Sequence, residues 1–287
     1  MRMFRATVAE FWSGRVKYIP IAVLVTVVVV FAVGVSQDAS GRTVLFGSPV
    51  GRTIQESRDP FDPYGGALPA DVHGFCAFGI LYLLNDFLVL CVMAWFAARL
   101  LHTTFQKGTL EFFMVGPHGR VALLAQRLAA CFSIPAAYAT AAGLAVWLTV
   151  SLKVGFAPPR FFLALPLLFL TFAALVALVF LLLTLTPKPG LVVGATIAVM
   201  LFSNIIGAVR TYLRFEEHIR GESVPRLLSA SVEALYYITP NINMIPKGMA
   251  ATLSGAPFPI TWEAASTVCF AAGCLAAAFF LLSRRDL

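Results

Sequence analysis

The chain has 287 residues, of which 59% are hydrophobic and 12% charged, and it carries a net charge of +7. Soluble domains carry about 25% charged residues, and the apolar blocks here are long enough to cross a ~30 Å hydrocarbon core, so the composition points to a polytopic α-helical membrane protein. Transmembrane barrels would instead show alternating segments of roughly ten residues, and basic residues scattered at the ends of apolar blocks give no nucleic-acid surface.

In chain order, residues 2–12 place Phe4, Val8, Phe11 and Trp12 at helical spacing, with Arg2 and Glu10 opposite and Arg5 at the edge. A helix of this kind lies in the membrane interface. Residues 1–17 are thus expected to lead, as an interfacial helix, into an apolar run of spanning length that is retained rather than removed as a signal segment. Six spans are predicted, at about 18–36, 75–101, 121–152, 161–186, 191–212 and 262–283. The third is long enough to project beyond the bilayer or to tilt. Thr186-Pro-Lys-Pro-Gly190 makes a tight break between the fourth and fifth.

Two long connections, 37–73 and 213–260, are expected on the outer side. The first contains Arg58-Asp-Pro-Phe-Asp-Pro-Tyr-Gly-Gly66, which reads as ordered loop; Asp59 and Asp62 within it match no calcium-loop spacing. The second begins polar and then carries a short helix, with Ser223 ahead of it and Pro225 in its first turn. Leu228, Val232, Leu235 and Tyr236 form an apolar face on that helix, suited to lying on the outer leaflet. Lys and Arg divide nearly evenly between the two sides, but the inner segments are shorter, so their density is higher there and both termini are expected in the cytoplasm.

Covalent chemistry has little to stand on. The chain has no phosphate-cradling loop, no His-Glu-x-x-His and no nucleophile elbow. Its four histidines are dispersed, and the five cysteines lie in apolar segments without ligand or redox spacing, as small buried hydrophobes do. No catalytic residue, metal or cofactor is expected in this chain. The polar elbow between the second and third spans is different. Lys107, Glu111 and Arg120 are charged, Leu110, Phe112, Phe113 and Met114 are apolar, Gly116-Pro117 stops a helix, and Gly119 permits a turn. A short amphipathic helix there, over 103–120, presents charge to a partner while resting on the membrane.

The run Lys107, Gly108, Thr109, Leu110, Glu111, Phe112, Phe113, followed by Pro117 and Arg120, resembles the Gly-Thr-Leu-Glu-Leu-Leu…Pro…Arg elbow of ABC-2 type transporter permeases. It departs from that pattern in its phenylalanine pair and in His118-Gly119. The ending Arg284-Arg285-Asp286-Leu287 resembles that family's Arg-Arg-Asp-Leu/Phe terminus, and Tyr236-Tyr237…Pro240-Asn241…Lys247-Gly248 is similar to an outer segment of one bacterial branch. The resemblance implies a single all-α domain of six spans, paired as a homodimer or heterodimer in a bacterial inner membrane. Each subunit would dock on a separate ABC ATP-binding subunit that holds ATP and magnesium. The elbow would be the coupling helix, residues 2–17 a connecting helix, and spans two and five would face the subunit interface where substrate passes.

Asp86 lies near mid-bilayer in span two, where a carboxylate facing lipid would cost at least ~2.5 kcal/mol, so it is expected to face protein or a water-filled path. Asn204, with Ser203 beside it, sits at similar depth in span five, and Asn85 belongs with the same patch. Asn85, Asp86, Ser203 and Asn204 thus read either as lining of a translocation path or as interhelix hydrogen bonds. Arg127 is expected to pack or to snorkel to the interface, and Trp262 with Glu263 to open span six at the outer boundary. Two other readings stay open: a proton-coupled secondary transporter using Asp86, and an ABC membrane subunit that transmits mechanical work to an envelope assembly without translocation. No residue selects a substrate.

Overall fold

The computed structural model describes residues 2–13, 35–37, 43–45, 48–49, 87–105, 120–154, 165–215, 225–240 and 261–284, together with single helical positions 18, 22, 25, 26, 29, 33 and 34. Its helices are α1 (Arg2–Ser13), α2 (Phe87–Phe105), α3 (Arg120–Val154), α4 (Leu165–Leu185), α5 (Pro189–Phe215), α6 (Arg226–Ile238) and α7 (Thr261–Arg284). Among the described residues, four stretches are long and apolar enough to cross a bilayer: Leu124–Lys153, Leu168–Leu185, Pro189–Arg214 and Trp262–Arg284. That is the make-up of a membrane protein, almost entirely helical. A small antiparallel meander, β1 (Val35–Gln37), β2 (Thr43–Leu45) and β3 (Ser48–Pro49), is the exception. It pairs Val35 with Leu45 and Val44 with Pro49. Val35 and Ser36, expected in the first span, therefore belong to a strand, and the helical positions before them end at Gly34.

The helix α4 is the centre of the bundle, packing against α2, α3, α5 and α7. Its sequence, LPLLFLTFAALVALVFLLLTL, carries no charge and is apolar on every side, as a helix surrounded by other helices requires. Small residues bring α7 close: Ala174, Ala177 and Leu178 of α4 meet Ala271 and Cys274 of α7, with Ala278 fully buried below. Close backbone approach of this kind is how helices gain packing energy where lipid supplies no hydrophobic drive. Aromatic rings fill the wider gaps. Phe180 tilts against Phe279 at 5.6 Å between centroids, and Phe132 meets Phe169 edge-on at 6.4 Å.

The predicted boundaries need modest revision. The second helix runs on to Phe105 and the third starts at Arg120, so 103–105 and Arg120 belong to flanking helices and the elbow contracts to 106–119. At 35 residues α3 is roughly 52 Å long, well beyond the hydrocarbon thickness, and Leu148 and Leu152 near its C-terminal end are exposed. Pro135 sits inside it, where the missing N–H opens the helical ladder without ending the helix. The turn between α4 and α5 is Thr186-Pro187-Lys188, and Pro189 occupies the first helical position of α5, where its absent N–H costs nothing. Helix α1 packs on α3 with Thr7 fully buried, while Arg5 stays exposed. Cys131 and Cys274 are buried, but Cys269 is exposed, contrary to the expectation that all five cysteines are buried.

Phe180→Ala should destabilise the bundle by about 3 kcal/mol through an unfilled cavity. Leu148→Ala, at a half-exposed position, should change little. Thermal unfolding of both variants in the same detergent checks the difference.

Candidate functional site

Among the described residues, two places in the bundle bury an arginine, Arg127 and Arg210, and each lies near the end of a helix. The first is the base of the elbow. Arg127, in the second turn of α3, is 5% exposed. Its Nη2 donates to the Leu100 carbonyl at 2.8 Å and to the Thr103 hydroxyl, both in the last turns of α2. Thr103 in turn donates to the Leu100 carbonyl at 3.0 Å. A guanidinium in an apolar bundle needs acceptors, and the carbonyls near a helix C-terminus carry the negative end of its dipole. Arg127 therefore packs rather than snorkelling to lipid, and it ties the first turns of α3 to the last turns of α2. The residues Lys107, Gly108, Thr109, Leu110, Glu111, Phe112 and Pro117 lie outside the described residues, as do Asn85 and Asp86.

The second place is the far end of α5, where α6 folds back. Ser203 donates to the Pro240 carbonyl at 2.5 Å, and Arg210 pairs with Glu233 at 3.0 Å. Seven residues up α5 thus match seven residues back along α6, so the two helices run antiparallel. Between those contacts Ile206 packs with Val232 and Tyr236, and Leu213 packs against this group. The α6 sequence therefore splits its apolar residues. Val232 and Tyr236 dock on α5, while Leu227, Leu228, Leu235 and Ile238 stay exposed. The face expected to rest on the outer leaflet is divided, because one side of it serves α5. Pro225 is the N-cap of α6 rather than part of its first turn, with ψ 124°.

This docking carries the C-terminus of α6 to the level of Ser203, about 21 Å along α5 from Pro189. A helix end at such depth must satisfy its own backbone. Thr239 returns its N–H to the Leu235 carbonyl at 3.1 Å and its hydroxyl to the same carbonyl at 3.0 Å, and Ser203 takes up Pro240. Ser203 is buried and committed to this contact; Asn204 beside it is half-buried.

At the other end of the contact the charges are dense. Arg210 is 6% exposed, its Nε donates to both Glu233 oxygens at 3.0 Å, and its Nη2 donates to the Tyr237 hydroxyl at 3.1 Å. Its guanidinium carbon stands 3.9 Å from the Tyr236 ring centroid. Arg214, one turn on, donates to Glu233 Oε1 at 2.7 Å. Glu263, at the start of α7, comes within 3.8 Å of Arg210. Burial pushes the Glu233 carboxyl up, but hydrogen bonds and charge from Arg210 and Arg214 outweigh it and hold it below the ordinary 4.5.

Arg210, Glu233 and the partnership with Glu263 were not legible as a site from the sequence. A signal was present: Arg210 falls within an apolar run, and Glu233 is the only acid in RLLSASVEALYYI. Isolated charges in apolar helices call for partners, but 22 intervening residues hide which ones. Pro240 lines a small cavity among α4, α5 and α7, together with Thr171, Thr196, Thr267 and apolar side chains. No family model, curated protein or solved structure matches this chain.

Glu233→Gln should weaken α6 docking by about 2 kcal/mol, the worth of hydrogen bonds to a charged group. Because the Glu233 pKa is lowered on docking, its contribution is complete above 4.5 and is lost as pH falls through the lower docked value. An acid titration followed by the near-ultraviolet circular dichroism of Tyr236 and Tyr237 should show that loss in the native chain and not in Glu233→Gln.

Proposed function

We propose that this chain is the membrane-spanning subunit of an ATP-binding cassette exporter of the ABC-2 type. In this reading it contributes no covalent catalysis. It converts ATP binding on a separate, soluble subunit into a change of packing that moves a substrate across a bacterial inner membrane. A second copy or a related permease completes the path. Asn85, Asp86, Ser203 and Asn204 line or brace that path, and Lys107, Gly108, Thr109, Leu110, Glu111, Phe112, Pro117 and Arg120 meet the ATPase.

The observation that carries the reading is the Arg127 clamp. A force applied to the elbow reaches the bundle only if both ends of the elbow are rigidly tied, since a slack loop would absorb the displacement. Arg127 binds the last turns of α2 to α3 through two hydrogen bonds. Helix α2 then packs on α4 and α5, so a push on the elbow has a continuous helical route to the end where α6 docks. The elbow's sequence supplies the remaining support: a glycine-flanked, amphipathic, charged stretch of the kind seen in permeases of that family.

The test is co-purification with the ATP-binding subunit encoded nearest to this chain. Glu111→Ala and Gly108→Pro should insert normally and lose ATPase association at least several-fold. Arg127→Gln should retain association but uncouple ATP hydrolysis from transport. If all three variants bind the ATPase and support transport like the native chain, or if 107–120 is reached by impermeant reagents only from outside the cell, the reading is wrong.

A further inference from the structure

Arg210 is served by two carboxylates on different helices, and the two are not equivalent. Glu233, on α6, makes two hydrogen bonds to Nε at 3.0 Å. Glu263, on α7, stands 3.8 Å from Nη1, inside ion-pair range but beyond hydrogen-bond length. The Glu263 side chain is 16% exposed, and among the described residues Arg210 is its ion-pair partner. A half-buried carboxylate held beyond hydrogen-bond length of its cation does less for the docked state than Glu233 does. Its geometry fits a different state, one in which Glu233 has gone.

We infer that α6 is a releasable lid and that Arg210 passes from Glu233 to Glu263 when the lid lifts. The physical requirement is plain. Arg210 is 6% exposed, and removing Glu233, its hydrogen-bonded carboxylate among the described residues, would strand a guanidinium in an apolar bundle. That penalty would keep α6 permanently docked. With Glu263 in reach, a small side-chain movement replaces one ion pair by another, so the charge stays neutralised throughout. Arg214 depends less on such a substitute, because its side chain is 58% exposed and lies at the very end of the apolar stretch of α5.

The remaining contacts of α6 are built for release as well. Among the described residues, what holds the helix besides Glu233 is the Ser203 hydroxyl on Pro240, Tyr236 and Tyr237 on Arg210, the side chains about Ile206, and a smaller contact with α7. Leu227 and Ile238 leave its outer side unattached to the bundle. Lifting Pro240 opens the cavity it lines, whose Thr171, Thr196 and Thr267 come from three different helices and are almost fully buried. The docked lid leaves there a space of about one water molecule. The exchange concerns this bundle alone and holds whether or not the exporter reading does.

Hydrogen–deuterium exchange of peptides covering 226–238, in the purified full chain in lipid nanodiscs, tests it. Glu233→Gln should speed exchange of α6 about tenfold while α4 keeps its protection, because Arg210 falls to Glu263. Glu263→Gln should slow exchange of α6 at least threefold, since it removes the acceptor of the lifted state and takes little from the docked one. Glu263→Asp, with the carboxylate drawn back and the charge kept, should slow it less, and it stands in should Glu263→Gln fail to fold. Faster or unchanged α6 exchange in the Glu263 variants would overturn the proposal, because Glu263 would then be a docking contact or a bystander.

Discussion

Arg210 governs how the far end of this bundle is assembled, because a guanidinium cut off from water has to be met by carboxylate, hydroxyl and π-face at once. Glu233 supplies the first, Tyr237 the second and Tyr236 the third, and all three come from the same helix. Placing that helix against α5 is therefore the way the charge is satisfied. The positions of Val232 and Tyr236 in the α5 groove, the descent of the α6 tip, and the Ser203 contact follow from it. Removing the charge would release an element, not merely a side chain.

The same rule operates in weaker form at the other end. Arg127 is also buried, but it meets a carbonyl and a hydroxyl rather than a carboxylate. Helix ends offer unsatisfied carbonyls, so a cation reaching one from a neighbouring helix closes both accounts. The difference between the two arginines matters for motion. A clamp made to backbone cannot be exchanged without unwinding α2, whereas an ion pair with a second acid nearby can change partners. One end of the bundle is thus tied and the other is built to let go, with the uncharged α4 between them as a common support.

How α6 sits was hidden from the sequence for an identifiable reason. Its apolar residues, spaced at three and four, mark a helical face but do not distinguish a lipid surface from another helix, since both are apolar. The decision falls to Glu233, a lone acid on that helix, and to its partner 23 positions earlier, a pairing across a loop that local pattern cannot show. The connection between α2 and α3 stands out in the sequence for its glycines, proline and charges between two apolar runs. Yet Arg127, which ties α3 to the last turns of α2, lies outside the motif and looks like an ordinary interfacial arginine.

What the chain's order of residues determined unaided is the membrane character, the positions of α3, α4, α5 and α7 to within a few residues, and the break at Thr186-Pro187-Lys188. These depend on hydropathy, helix length and proline geometry, all of which are properties of contiguous segments. Tertiary structure alone decided that α4 is central, that Ala174, Ala177 and Ala271 mark a close crossing, that α6 turns back along α5, and that two acids face one arginine. Those outcomes depend on which surfaces meet, and in a chain where nearly every surface is apolar, only small-residue fit and the few buried charges can choose among them.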